Sequence, residues 1–436
     1  MTEVQVVVIG GGIGGLCLAQ GLRQAGVEVA VYERDRDPAS RWEGYRIHVD
    51  AAGARSLHAC LPAPLWEAFL ATSAPGGPIG FVTARLDELV EVEESIAYPH
   101  ASDPSEGHYA VDRRALRRLL LAGLDDVVHF GAEFAAYEHT AGGRVAARFA
   151  DGRRVEADLL VGADGVGSRV RRQYLPDAEP VPAGVVGFAG KVPLTAETRS
   201  WVPAVLQQGM HVVVDPGPGS LFTAAYRPPP GARTALAAAT GRAAPAVDEP
   251  YLLTAFVTAP HHVPPDLDTD DPDALAALVD GLTAGWHPTL RRVLAACDPA
   301  TRGASAFVVA PAIPAWEPSP VTLLGDAVHA VPATGGLGGN TALRDARRLT
   351  QVLAEGHEDL VGAVGAYETD LRQHGAAAVA DALAVRDQML AGGVWRTRAA
   401  RAWFRLCARS ATLRRVTFAD GDRALSRPRP WELAGS

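Results

Sequence analysis

At 436 residues the chain is too long for one small domain and suits two or three lobes. It is 48% hydrophobic and 21% charged, with 45 glycines and 32 prolines dispersed rather than tandemly repeated, which excludes collagen-like and disordered classes. A formal charge of −9 argues against a general nucleic-acid binder; Cys17, Cys60, Cys297 and Cys407 form no CxxC pair, which argues against disulfide scaffolds and zinc ribbons and suits a reducing cytoplasm.

The run VQVVVI at 4–9 reads as a buried strand, so no secretory leader is expected ahead of it. Nowhere does an apolar run reach the roughly 18 residues that a membrane-crossing helix needs. Gly10-Gly11-Gly12-Ile13-Gly14-Gly15 follows at once, then LCLAQGLRQAG with helical spacing, then a second strand, VEVAVYER. This is a βαβ unit, which implies a parallel sheet. Gly10, Gly12 and Gly15 make GxGxxG: the first allows a tight turn, the second lets backbone approach a pyrophosphate, and the third lets helix and strand pack closely. Glu33, next to Arg34, ends the second strand, where a carboxylate can accept hydrogen bonds from ribose hydroxyls.

Further along, 78–99 reads as a boundary followed by extended chain, and 111–124 as a helix with Leu116, Leu119, Leu120 and Leu124 on one face. RVAARF, RRVEAD and LLVGADG read as strands, the first two joined by a turn at Asp151-Gly152. The last runs into Asp164-Gly165, with Ser168 and Arg171 following. Residues 183–240 suggest several antiparallel strands of a second lobe, 241–272 a Pro- and Asp-rich loop, and 272–284 and 287–297 helices. VTLLGDA at 321–327 is a strand entering a glycine loop: Asp326 and His329, then Pro332, then Gly335, Gly336, Leu337, Gly338, Gly339 and Asn340, where a helix starts. Asp326 suits a ribityl hydroxyl or a pyrophosphate-linked water, and the loop presents N–H groups to an electron-rich carbonyl or ring nitrogen. From 356 to about 415 the pattern is helical. Arg396, Arg398, Arg401, Arg405 and Arg409 form a basic helical face, expected to be solvated or acid-paired, with membrane or partner docking as the alternative, while Trp395, Trp403, Phe404 and Leu406 are expected in the core. His261-His262 lacks metal-ligand spacing, and no metal site is expected.

These three glycine-centred motifs, in this order, resemble the class A FAD-dependent monooxygenases, the para-hydroxybenzoate hydroxylase-like family, over roughly residues 4–372. The resemblance implies an α/β fold: a discontinuous Rossmann-like FAD domain of the glutathione-reductase type (1–77, 101–182, 298–355), a β-sheet substrate domain (78–100, 183–297) and a C-terminal helical region (356–436). By position it assigns FAD to Gly10, Gly12, Ile13, Gly14, Gly15, Glu33, Arg34, Asp164, Asp326, Pro332 and the Gly335–Asn340 loop. Arg113 and Arg46 match positions beside the flavin, and Tyr367-Glu368 with Arg372 resembles the family's following helix. Val331-Pro332-Ala333-Thr334 replaces the Pro-Pro or Met-Pro many members carry, and the stretch around His48 and Ala51 lacks their Pro-Asn.

The implied reaction uses NADH or NADPH as transient donor and O₂, with a flavin C4a-hydroperoxide passing one oxygen atom to an aromatic or polyketide-like small molecule. No acid–base or nucleophilic side chain is required. His48, Phe81, Val212, Val214, Phe222 and Tyr226 are candidate pocket residues. The only lysine, Lys191, falls in the substrate lobe and no WxWxIP occurs, unlike related halogenases. The alternative is a non-oxygenating FAD relative that templates a cyclisation or rearrangement.

Overall fold

The structure, a computed structural model, describes residues 4–37, 45–98, 103–243, 249–356, 358–390 and 393–419. Its nucleotide-binding lobe is built on five parallel strands in the order Val321–Leu323, Leu159–Gly162, Gln5–Ile9, Glu28–Glu33 and Val128–Phe130. Gln5–Ile9 is central, and Val6, Val7, Val8 and Ile9 are all buried, as expected of a parallel strand covered on both faces. The expected βαβ unit is present, with the helix at Ile13–Gln24. A helix at Gly338–Ala354 packs across it.

The hairpin turn falls as expected at Gly152 (φ 88°), between Val145–Phe149 and Arg154–Ala157. The expected helix over 111–124 begins only at Arg113, because Tyr109–Asp112 is a strand. The Asp112 carboxylate accepts from the backbone N–H of Arg114 at 2.9 Å and Ala115 at 3.3 Å and caps the helix. Two helices unread in the sequence, Ala51–Cys60 and Ala63–Thr72, follow strand Arg46–Val49; Asp50 caps the first through Gly53 N–H at 2.7 Å.

The second lobe is a seven-stranded sheet in the order 303–309, 181–193, 251–258, 219–226, 210–214, 79–83 and 88–92. All its pairings are antiparallel except Met210–Val214 with Ile79–Thr83. Tyr251–Thr258 corrects the reading of 241–272 as loop: YLLTAFVT is an inner strand of this sheet, hidden in the sequence by the Pro and Asp on either side. Side-chain alternation gives the sheet two buried faces. One packs Phe188, Leu252 and Phe256 against helices Pro272–Leu282 and Pro288–Ala295. The other carries Phe81, Met210, Tyr226 and Tyr251.

That second face meets the seam with the nucleotide lobe and helices Val394–Arg409 and Ala411–Phe418. Phe404 stacks on Phe81 at 4.3 Å, as a core residue should. Trp395 and Leu406, expected in the core, are instead 80% and 48% exposed. Helical period puts Thr397, Ala400, Phe404 and Cys407 on the buried face and turns Trp395 and Leu406 away.

Candidate functional site

The glycines after the first strand are sorted by what surrounds them. Gly10 has φ 111°, and a Cβ there would lie 2.4 Å from the Ala163 carbonyl oxygen; at Gly15 a Cβ would lie 2.2 Å from the Gly10 carbonyl oxygen. Both are demanded by packing. A Cβ at Gly14 would meet the Leu324 side chain at 2.5 Å. At Gly12 it would meet no atom of the described residues within 4 Å, so this glycine faces the open side of the loop. Gly12 is also the N-cap of the helix opening at Ile13; no described side chain caps that end and no acidic residue occupies its first turn. Glu33 is 2% exposed and accepts from Gly11 N–H at 2.6 Å and Asp35 N–H at 2.9 Å, so its carboxylate stands against the same loop. Arg34 is exposed beside it. Arg117 Nε donates to the Gly11 carbonyl at 3.2 Å. The sequence reading missed Arg117, although it lies one helical turn beyond Arg113.

Asp164 and Asp326 close two neighbouring parallel strands and differ in what they hold. The Asp164 carboxylate accepts from the Ser168 hydroxyl at 2.5 Å and from Arg169 N–H at 2.8 Å. Burial raises its pKa, and these hydrogen bonds oppose the rise. Buried Arg171 donates to the carbonyls of Val166 at 2.8 Å and Ala327 at 3.3 Å, tying the two Asp-bearing loops together. The protein packed around Asp326 raises its pKa against the pull of His329 and Arg113, yet its side chain remains open to solvent. It therefore stands on the wall of a groove with Arg113 nearby.

Behind this wall Asp345 is wholly buried. It accepts from Gly325 N–H at 2.8 Å and lies 2.6 Å from Nε2 of both His329 and His374. Burial alone pushes an Asp345 carboxyl up, but the two imidazoles hold it down at about 2. Burial lowers His329, and the Asp345 carboxylate outweighs it, so His329 is raised. Asp345 and His374 were not anticipated; the available signal was a lone acid at a core position of an amphipathic helix.

The glycine loop runs past buried Pro332. Gly335 and Gly336 take φ of 115° and 71°, Leu337 caps the helix, and Gly338 and Gly339 form its first turn. Asn340, 4% exposed, donates to the carbonyls of His48 at 2.9 Å and Gly336 at 3.3 Å, and accepts from Asp50 N–H at 3.1 Å. It fixes the loop to strand Arg46–Val49.

That strand opens the seam between lobes. Arg46, 5% exposed, donates to the Gly76 carbonyl at 3.2 Å, while its Nε has no hydrogen-bond partner among the described residues. Burial lowers its pKa to about 10 against the opposing pull of Tyr98 and Tyr251. Burial, then Arg46, pushes His48 down to about 4. His48 Nε2 lies 3.2 Å from His108 Nδ1, and the His108 ring stacks on Tyr98 at 3.7 Å. Across the seam Tyr251 donates to Asp112 at 3.3 Å, and Lys191 sits 4.2 Å over the Tyr251 ring and 3.9 Å from Asp112. Tyr226 is buried 5.2 Å from Tyr251. Val212, Val214 and Phe222 are half-buried on that face, and Phe81 is buried against Phe404. Tyr98, His108, Asp112 and Tyr251 escaped the sequence reading because they lie outside its motifs.

A family profile described as an FAD binding domain matches residues 3–228 and 303–382, which hold every glycine-rich motif above. The chain belongs to the class A flavin monooxygenase family. Its FAD binding is supported locally by the open Gly12 and the uncapped helix end, which suit a pyrophosphate. Among curated proteins, a dual O-methyltransferase/FAD-dependent monooxygenase, elcB, from Phaeosphaeria nodorum is 33% identical over 405 residues. That alignment takes in 84% of this chain and 42% of elcB, so the chain spans under half the length of that relative. An FAD-dependent urate hydroxylase from Mycolicibacterium vanbaalenii is 26% identical, with 84% of each chain covered. A crystal structure from Photorhabdus luminescens, assigned as an FAD-containing monooxygenase, superposes with TM-score 0.76 at 32% identity, covering 88% of this chain and 98% of that one.

Proposed function

We propose that this family member is an NAD(P)H-dependent monooxygenase that inserts one atom of O₂ into an aromatic or polyketide-like small molecule bound in the seam. The observation that supports this best is the juxtaposition, through Asn340, of the flavin-type glycine loop and the Arg46–Val49 strand. That strand brings the loop against a buried aromatic and polar seam. The named activities of the relatives, urate hydroxylation among them, support oxygenation of a ring compound. FAD, reduced by the nicotinamide donor, supplies O₂ activation; the second oxygen atom leaves as water.

The chain's own part is binding, orientation and exclusion of water. Gly10–Gly15, Glu33 and Arg34 hold the adenosine and pyrophosphate half, with Arg113 and Arg117 adding positive charge beside it. Asp326 and the Gly335–Asn340 loop hold the ribityl and ring half. Asp164 orders its loop through Ser168, and Arg171 fixes that loop to the Asp326 loop. Arg46, always charged near neutral pH, is a positioning residue at the seam. His48 is neutral near pH 7, and its Nε2 lies within hydrogen-bond distance of His108 Nδ1, which orients the ring at the seam. Tyr98, Tyr226 and Tyr251 give flat surfaces, and the second-lobe sheet shuts the seam from water.

The test is anaerobic stopped-flow reduction by NADH and by NADPH, with and without candidate ring compounds, followed by product mass in air. Substrate-stimulated bleaching and a gain of one oxygen are expected. Conversion to an isomer of unchanged mass, with no bleaching by either donor, overturns the oxygenase in favour of a templating enzyme.

A further inference from the structure

Residues 393–419 contain seven arginines and no Asp or Glu, in a chain of net charge −9. Their distribution over the two C-terminal helices is sorted. Arg401 and Arg414 turn inward, to Asp215 at 3.4 Å and Glu93 at 3.2 Å. Arg398, Arg405, Arg409 and Arg415 are exposed and have no acidic partner among the described residues.

On helix Val394–Arg409, period 3.6 groups Val394, Arg398, Ala402, Arg405 and Arg409 along the outward face, with Trp395 and Leu406 beside them. Trp395 is 80%, Val394 51% and Leu406 48% exposed, and Val416 on the next helix is 71% exposed. The Arg398 guanidinium lies 5.2 Å from the Trp395 ring centroid. The opposite face is anchored on the substrate-lobe sheet through Phe404 and Phe418, so this is a rigid surface.

We propose that this face docks on an anionic phospholipid surface. Arginine forks match phosphate oxygens, and their long stems lie along apolar surface while the heads reach charge. An indole beside them, with Val and Leu, suits the boundary between headgroups and acyl chains. An acidic protein would satisfy the arginines, but a lipid surface satisfies the arginines and the apolar side chains together. The inference is independent of the reaction proposed above.

The FAD-loaded protein is cosedimented with vesicles of phosphatidylcholine alone and of phosphatidylcholine mixed with phosphatidylglycerol, across a salt series. Binding is expected only to the mixed vesicles and is weakened by salt. The triple substitution Arg398→Gln, Arg405→Gln, Arg409→Gln is expected to weaken binding on the order of a hundredfold. Trp395→Ala weakens it independently. Both variants keep FAD content and unfolding temperature, which shows that the fold survives. Equal binding to both vesicle types, binding to neither, or indifference to the triple substitution overturns the proposal. So does binding to polyglutamate without binding to vesicles, or self-association abolished by Trp395→Ala.

Discussion

Gly12→Ala and Gly15→Ala add the same methyl group three residues apart, and their effects should separate cofactor binding from folding. At Gly12 the backbone is extended (φ −78°, ψ −178°) and the new Cβ meets no atom of the described residues within 4 Å. Alanine is a poorer N-cap than glycine by about 0.5–1 kcal/mol. Its stiffer unfolded chain returns about 0.4–1 kcal/mol. The flavin-free protein should therefore keep its stability to within about 0.5 kcal/mol, a shift of roughly 1–2 °C. FAD affinity should fall, because the methyl group stands where the pyrophosphate must approach; a crowding cost of about 1–3 kcal/mol is roughly 5- to 150-fold in Kd. At Gly15 the Cβ would sit 2.2 Å from the Gly10 carbonyl oxygen, a backbone atom with nowhere to move. Gly15→Ala should destabilise the flavin-free protein by at least about 1–3 kcal/mol. Thermal unfolding of stripped protein and calorimetric FAD titration measure both quantities. If Gly12→Ala lowers stability as much as Gly15→Ala and leaves FAD affinity intact, Gly12 is a packing glycine and the assignment of the pyrophosphate to this loop fails.

Asp326→Ala should weaken FAD binding about 10- to 150-fold, the loss of a charge-assisted hydrogen bond, whereas Asp164→Ala should chiefly lower the unfolding temperature, since Ser168 and Arg169 lose their acceptor; comparable FAD constants for the two variants contradict the ranking. The raised His329 contributes stability in full below its unfolded value of 6.5, and that contribution is lost as pH rises through its higher folded value. The lowered Asp345 contributes above its unfolded value of 3.8, and its share is lost as pH falls toward about 2. Unfolding temperature should thus decline from mildly acid to alkaline pH, and Asp345→Asn should flatten that decline; an unchanged slope refutes the link. Lys191, half-buried over Tyr251, should react more slowly with amine-acylating reagents in the folded protein than after unfolding; mass mapping of labelled peptides would show equal rates if the seam were open.

The nucleotide lobe was legible because its signals are local. Gly10, Gly12 and Gly15 sit between a strand and a helix within thirty residues, and Asp164 and Asp326 each end an apolar run. The seam was not legible, because its members come from separate stretches and meet only through tertiary pairing: Arg46 lies opposite Asp112, and Tyr251 reaches Asp112 from the second lobe. Tyr251 was obscured further, since composition averaged over 241–272 conceals eight strand residues. The Asp345 cluster joins two helices and a loop, and no spacing rule connects His329 with His374. In the C-terminal helix the residue types alone placed Trp395 in the core, whereas the helical phase set by Ala400, Phe404 and Cys407 places it outside.

The discontinuous parallel sheet also sets a timetable for synthesis. Strand Leu159–Gly162 pairs on one side with Gln5–Ile9, already made, and on the other with Val321–Leu323, which follows 159 residues later. At about 5–20 residues per second the ribosome leaves that second edge unpaired for roughly 8–32 seconds. During that interval a row of unpaired N–H and C=O groups on an apolar strand is an invitation to pair with another chain. The whole second-lobe sheet is translated in the same interval, apart from its two strands at 79–92. Overexpression should therefore be limited by protection of this edge before closure rather than by the stability of the finished fold. Slower translation or holdase chaperones should raise the soluble yield more than added FAD does, because the Asp326 wall of the cofactor groove does not exist until the last strand has been made.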